Sequence, residues 1–300
     1  MAKKLTKKEA KQIEIRNKMI LVLILCVIVF IIYLLIIQAI KSQEAKMRDY
    51  KVGVPFTYES ALQKQQKASP VVSNGVKWLP SKQRHIDQYL KPDQLYNDPV
   101  QKLQFLNLGM AQKIHPNDLN ELLKGKGILE NQGVTFSKAS KIEDVNEIYL
   151  IEHAILETGK GKSQLAQGVK VSDDNKIGKG KKYYNFFGIA AYDHNPLKEG
   201  ALFAKEHGWD TPEKAIMGGA KFIKEEFLNK PYQDTLYGMR FNPMNPGKHQ
   251  YATDVMWAHH NAKMMALDYK KLGLKGKYFT RYYYKNHTIN KKDLDENHAN

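Results

Sequence analysis

From Met19 to Ile37 the chain runs for nineteen residues, MILVLILCVIVFIIYLLII, without a charge, a glycine or a proline. At about 1.5 Å per residue, a helix of that length crosses a hydrocarbon core of roughly 30 Å. The run is longer than the apolar region of a usual leader, and Gln38-Ala39-Ile40 makes a poor small-residue cleavage site, so an uncleaved transmembrane helix is expected. Residues 1–18 hold seven Lys/Arg and two acids, whereas residues 38–51 hold four basic residues. The heavier positive flank predicts a cytoplasmic N-terminus and a single pass through a cell membrane, with everything from residue 38 onward outside. Cys26 lies within the span, where it serves as a small apolar residue.

The 300 residues carry 47 Lys plus Arg against 31 Asp plus Glu, a net charge of +16. The first 18 residues account for +5 of it, which leaves +11 beyond the apolar run. An exported basic chain suits anionic walls and lipid surfaces. The clusters Lys176–Lys182 and Lys270–Lys285 carry no nucleic-acid motif, so no nucleic-acid partner is expected. A single cysteine excludes an internal disulfide framework and any CxxC zinc or redox pair. Residues 38–80 are rich in Gln, Lys and Ser and are interrupted by Pro55, Pro70, Gly75 and Pro80, a pattern that reads as an extracellular stalk with limited local structure. A flexible segment of about forty residues reaches roughly 35 Å, which would keep the domain near the membrane. One catalytic domain is then expected over 81–285, followed by a polar tail over 286–300.

Three helices are legible. Glu147 to Thr158 places Ile148, Ile151 and Ile155 on one face and stops at Gly159. Thr211-Pro212-Glu213 reads as an N-cap, a first-turn proline and a first-turn acid ahead of Ile216, Gly219, Ala220, Ile223 and Phe227. Asp254 can cap a third, whose stripe is Val255, Ala258, Ala262, Met265, Tyr269 and Leu272. Between the first two, Gly178 to Tyr192 suits short strands or a hairpin. The class is mainly α with one small β element.

Glu157 stands out within His153-Ala154-Ile155-Leu156-Glu157-Thr158-Gly159. It shares a helix face with Leu150 and Ala154 and falls in the last turn. Desolvation and the negative end of the helix dipole both favour the neutral acid, the form a general acid needs. A charged His153 would oppose that shift. Most glutamates are surface residues, so position alone does not assign the role.

Glu157-Thr-Gly-Lys-Gly-Lys-Ser163 resembles the E-[ST]-G-x-G-x-S signature of lysozyme-like peptidoglycan hydrolases. Tyr184-Asn-Phe-Phe-Gly-Ile189 resembles their N-x-F/Y-G-I element, and Tyr251-Ala-Thr-Asp254 their Y-A-T-D element. The segments 117–128, NDLNELLKGKGI, and 207–224, HGWDTPEKAIMGGAKFIK, are similar to the staphylococcal-type glucosaminidase domains of glycoside hydrolase family 73. With a membrane anchor ahead of it, the match over about residues 84 to 270 looks like the membrane-bound N-acetylglucosaminidase subgroup. The resemblance implies a lysozyme-like fold with a small β lobe and cleavage of the glycan between N-acetylglucosamine and N-acetylmuramic acid. Glu157 falls on the catalytic acid, Tyr251 on a tyrosine that contacts the acetamide or steadies the transition state, Asn185 and Phe187 on the groove wall, and Ser163 on the turn that orients the carboxyl.

A second group must activate water or stabilise the cation-like sugar. Asp173, Asp174, Asp193 and Glu199 are available, and Asp193, directly after Gly-Ile-Ala-Ala-Tyr, is favoured. The substrate's own acetamide is the alternative, and then no second carboxylate is required. Gly161-Lys162-Ser163 imitates a phosphate loop, but the first glycine would fall at Leu156. His259-His260 are adjacent and lack metal spacing, and lysines follow Asp173-Asp174-Asn175 where a calcium loop needs acids. No metal or cofactor is expected. The expected partners are peptidoglycan strands, membrane lipid through the helix, and an integral-membrane protein beside it. A lytic transglycosylase and a non-catalytic peptidoglycan-binding membrane protein remain the rival readings.

Overall fold

The computed structural model describes residues 7–191 and 194–285. It divides into two compact units, Met1–Asp49 and Tyr50–Asn300. The first is a single helix, α1 (Lys7–Arg48). Among the described residues, its stretch Lys11–Ile40 is the one long and apolar enough to cross a membrane, and none of that stretch is buried. A helix apolar on every side and covered on none has no polar face to offer water.

The second unit opens with β1 (Asp49–Thr57), α2 (Tyr58–Lys67), β2 (Val71–Ser73) and β3 (Trp78–Pro80). Helices α3 (Gln83–Leu90), α4 (Pro92–Asn97), α5 (Pro116–Leu123) and α6 (Gly133–Glu143) lead to α7 (Glu147–Glu157). A short α8 (Gln164–Gln167) enters the antiparallel hairpin of β4 (Val169–Val171) and β5 (Lys181–Tyr183). Helices α9 (Pro196–Glu206), α10 (Pro212–Ile223), α11 (Leu236–Phe241) and α12 (Trp257–Lys271) precede β6 (Phe279–Lys285). The fold is mainly helical, as expected. Its strands form three two-stranded sheets rather than one β element: β1 with β6, β2 with β3, and β4 with β5.

Helix α7 runs through the core, with Ile148, Leu150, Ile151 and Ala154 wholly buried. Its start is fixed twice. The Asn146 side chain accepts from the Tyr149 amide at 3.1 Å, and the buried Glu147 carboxylate accepts from the amides of Gln112 (2.8 Å) and Ile114 (3.2 Å). Asn146 Nδ2 also donates to the Tyr269 hydroxyl at 2.9 Å, which ties α7 to α12. Thr211 caps α10 through the Lys214 amide, as its sequence predicts. Two adjacent glycines in α10 let rings lie directly on the helix: a Cβ at Gly218 would fall 2.0 Å from Trp209 Nε1, and one at Gly219 2.1 Å from Phe187 Cδ2.

The stalk expected over 38–80 is not one. Helix α1 continues to Arg48, and the segment from β1 to β3 belongs to the folded unit. Val52, Val54, Ala61 and Leu62 are core residues, and Gln65 donates from Nε2 to the Phe241 carbonyl at 2.6 Å. The apolar positions here are few and interrupted by Pro55 and Pro70, so periodicity does not reveal them. Strand β1 pairs with β6 far along the chain, α2 packs on α3, and Gln65 carries the bond from α2 to α11. The folded unit therefore starts near Tyr50, not at residue 81. The third helix also starts later than its stripe suggests, at Trp257, because the Val255 amide bonds to the Val71 carbonyl at 3.0 Å and diverts the chain into a bridge with β2. Asp254 still serves the turn, accepting from the Met256 amide at 2.9 Å. The aromatic run of β6 is core: Tyr282 and Tyr284 are buried, and the Tyr237 ring stacks on Tyr282 with centroids 5.4 Å apart.

A chain begun at Ser81 is expected to lose its cooperative unfolding transition, whereas one begun at Tyr50 keeps it. Val52, Val54 and Leu62 alone contribute about 1.5–3 kcal/mol each, against a total stability of about 5–15 kcal/mol. Thermal denaturation followed by circular dichroism compares the two.

Candidate active site

A cavity of about 210 Å³ lies between α7 and α12. Helix α7 contributes Glu152, His153 and Glu157 to its wall, and the loop before α12 and α12 itself contribute Tyr251, Trp257 and Asn261. The structure thus brings together Glu157 and Tyr251, which lie in separate sequence motifs.

Glu157 is the last residue of α7, its side chain 40% exposed, and partial burial raises its carboxyl above the ordinary glutamate range. His153 Nε2 lies 3.9 Å from Glu157 Oε1, beyond hydrogen-bond reach. Burial pushes the imidazole down to about 4, so at neutral pH it carries no charge that would draw the proton off Glu157. Tyr251 faces the same space; burial and the nearby Glu157 charge both raise its hydroxyl. Its ring sits between Trp257, at 4.9 Å, and Phe227, at 5.9 Å. Phe227 belongs to a π-helical turn, Lys224–Leu228, that extends α10. Such turns recur at functional sites because they re-aim side chains.

The chain after Glu157 turns through Gly159 and Gly161, both at positive φ. Thr158 organises the turn. Its hydroxyl donates to the Ala154 carbonyl at 2.5 Å and accepts from the Gly161 amide at 2.7 Å. Gly161 is required for a second reason, since a Cβ there would fall 1.9 Å from the Lys126 carbonyl oxygen. Ser163 caps α8 by accepting from the Ala166 amide at 3.3 Å, and no hydrogen bond joins it to Glu157. Its part is to hold the turn, not to orient the carboxyl.

Asn185 is 2% exposed and spends its amide inside the protein. Its Nδ2 donates to the carbonyls of Ile189 (2.8 Å) and Gly200 (3.2 Å), and its Oδ1 accepts from the amides of Phe187 and Ile189. It is the keystone of the loop and has no donor left for a sugar. Phe187, 4% exposed, lies behind the wall, with its ring edge-on to His153 at 5.7 Å. The residue of that motif nearest the chemistry is Gly188. At φ +62 it approaches so closely that a Cβ would sit 2.8 Å from Glu157 Oε2. The motif glycine was quoted in the sequence, but its contact with the acid is decided only by the fold.

Asp193 lies outside the described residues, together with Tyr192. Of the other acids considered, Asp174 pairs with Lys176 at 2.6 Å and Glu199 with His194 at 2.5 Å, and neither lines the cavity. Sequence reasoning missed Glu152. Burial and the neighbouring Asp268 push its carboxyl up to about 8, with Lys126 opposing. The five-residue spacing from Glu157 gives no hint that both face one cavity.

The loop that carries Tyr251 is fastened from below. Arg240 is wholly buried and donates from Nε to the Asp254 carbonyl at 2.5 Å and from Nη2 to the Thr253 carbonyl at 3.1 Å. The Val71 amide bonds to the Thr253 carbonyl at 3.0 Å, and the Tyr251 amide to the Met239 carbonyl at 2.9 Å.

The family described as mannosyl-glycoprotein endo-beta-N-acetylglucosaminidase matches residues 133–270. The bifunctional autolysin of Staphylococcus aureus (strain NCTC 8325 / PS 47) is 51% identical over 204 residues, which are 68% of this chain and 16% of that protein. The chain thus spans a small part of the curated relatives it matches. The crystal structure of S. aureus glucosaminidase B is 43% identical, with a TM-score of 0.73 over 80% of this chain and 95% of that one. The structure of S. aureus autolysin E in complex with the muropeptide NAM-L-Ala-D-iGlu is 38% identical, with a TM-score of 0.59 over 77% of this chain and 98% of that one.

Two outcomes follow from this geometry. Gly188→Ala is expected to lower kcat while the fold is retained, because the new methyl displaces the Glu157 carboxyl; turnover measured beside a thermal melt checks it. Glu152 holds a proton in the folded chain that the unfolded chain, with an ordinary glutamate near 4.5, gives up. Its stabilising contribution is therefore complete below about pH 4.5 and is lost as pH rises through about 8, with a slope of at most about 1.4 kcal/mol per pH unit. Glu152→Gln is expected to flatten that decline in melts recorded from pH 5 to 9.

Proposed function

The chain belongs to the glucosaminidase family, and from that premise we propose that it is a membrane-anchored peptidoglycan hydrolase cleaving between N-acetylglucosamine and N-acetylmuramic acid. The observation that carries this reading is the Glu157 carboxyl, partly buried at a helix end with its proton affinity raised, across a groove from Tyr251. The chemistry asks for an acid that keeps its proton more readily than an ordinary glutamate, and desolvation shifts Glu157 in that direction without a charged neighbour.

In this mechanism a glycan strand lies along the groove with its scissile oxygen at Glu157. The acid gives its proton to that oxygen as the bond to the anomeric carbon lengthens and positive charge spreads over the ring. Tyr251, held between Trp257 and Phe227, meets the acetamide of the reacting sugar. Either the acetamide oxygen or Asp193 stabilises the anomeric centre. One water then adds there, and its spare proton returns to the carboxylate. Gly188 leaves the space in which the carboxyl sits.

The uncovered apolar surface of Lys11–Ile40 supports the anchor, and the seven Lys/Arg before Met19 support a cytoplasmic N-terminus. An enzyme so placed trims strands close to the membrane, with lipid around α1 and an integral-membrane protein as its neighbour.

The test incubates the full chain, in detergent, with purified peptidoglycan and identifies the new glycan ends by mass spectrometry. The wild type is expected to release reducing N-acetylglucosamine ends, and Glu157→Gln to fall by about 10²–10⁴-fold while strand binding persists. Unchanged turnover in the variant removes Glu157 from the chemistry, and anhydro-muramic ends move the chain to the transglycosylases.

A further inference from the structure

A second cavity, of about 450 Å³, opens on the other side of Tyr251. Its volume falls in the range of about 300–1,000 Å³ common to pockets that hold a small molecule. Tyr251 lines both cavities, so the second adjoins the one that holds Glu157. Beyond Tyr251 the walls are Phe227, Lys230, Gln233, Met239, His249 and Gln250.

The lining changes character at the tyrosine. On the Glu157 side it holds two carboxyls, Glu152 and Glu157, and no lysine or arginine. On the far side it holds Lys230 and His249 and no carboxyl. Lys230 Nζ lies over the Phe227 ring, 5.4 Å from its centroid, and among the described residues it has no carboxylate partner. Phe227 thus holds the ammonium at the cavity wall and leaves its hydrogen-bonding capacity unspent. The floor is held firmly: Gln233 Nε2 donates to the His249 carbonyl at 3.2 Å, with His249 at φ +48, and Gln250 Nε2 donates to Gln65 at 2.5 Å. A neutral sugar suits the first cavity, and an anionic group projecting from the same strand suits the second.

We propose that this cavity is a subsite for the carboxylate-bearing peptide stem carried by the muramic acid beside the scissile bond, with Lys230 as the contact to its carboxylate. The inference rests on the peptidoglycan reading and names which part of that substrate the site measures. A strand whose stem is seated here is held in register over Glu157, so stem recognition is expected in KM.

The full chain in detergent is given two substrates free of teichoic acid: glycan with intact stems, and the same glycan stripped of stems by an amidase, with the lactyl carboxylates that this hydrolysis frees converted to amides. The wild type is expected to show a KM roughly tenfold lower for the stem-bearing strand, as one charge-assisted hydrogen bond supplies. Lys230→Ala is expected to bring that ratio to about one, and Lys230→Arg to restore it. Converting the stem carboxylates to amides is expected to erase the preference in the wild type. No preference in the wild type, or equal losses on both substrates in Lys230→Ala, overturns the proposal. Should the wild type cleave neither substrate, the hydrolase reading fails by itself. Calorimetric binding of a free muramyl dipeptide, present in wild type and lost in Lys230→Ala, then still supports the subsite, and equal binding by both overturns it.

Discussion

A wholly buried guanidinium holds the working face of this protein together. Arg240, on α11, donates to the carbonyls of Thr253 and Asp254 and so fixes the loop that presents Tyr251. Burial lowers its pKa to about 10, which still leaves it charged at neutral pH. A buried charge is tolerated only where hydrogen bonds replace its water, and here the replacements are backbone oxygens of the site loop. The same loop is held by Val71 of β2 and by the Met239 carbonyl. Two elements, the neighbouring α11 and the distant β2, therefore converge on the loop of one tyrosine.

The opposing wall answers to a different constraint. Helix α7 buries one face completely and ends in a carboxyl that water can still reach. The helix places Glu157 at its negative end, and partial desolvation favours the neutral acid. His153 would cancel that effect if it were charged, but its own burial discharges it. Behind it stand Phe187 and the paired glycines of α10, so the neutrality of the histidine depends on how closely that ring seats against the helix. The chemistry of the acid is in this sense a property of three layers of packing.

The candidate acid was legible because its signals are local. An apolar period, a glycine that ends the helix and a glycine-rich turn occupy a single stretch of chain, and the Thr211-Pro212 start of α10 is equally local. Asn185 misled for the opposite reason. A polar residue between aromatics looks like a sugar contact, and only the tertiary loop reveals that its donors and acceptors are all engaged with backbone. Residues 49–80 misled as a stalk because β1 pairs with β6 and Gln65 of α2 bonds to α11, some 180 to 230 residues away. Glu152 gave no signal, since its proton affinity comes from burial in the folded chain and then from Asp268 on another helix.

The sequence by itself determined the apolar span, the helical class, the order of the motifs and the place of the candidate acid at a helix end, because each is set by hydrophobic period, capping or composition within a short window. Tertiary structure alone decided that Gly188 backs the Glu157 carboxyl, that β2 and Arg240 brace the Tyr251 loop, and that Lys230 lines a cavity sharing Tyr251 with the one that holds Glu157. Those properties arise from close approach between segments remote in the chain, where burial and the field of a neighbour are set by packing, and packing at that range is not written in any local pattern.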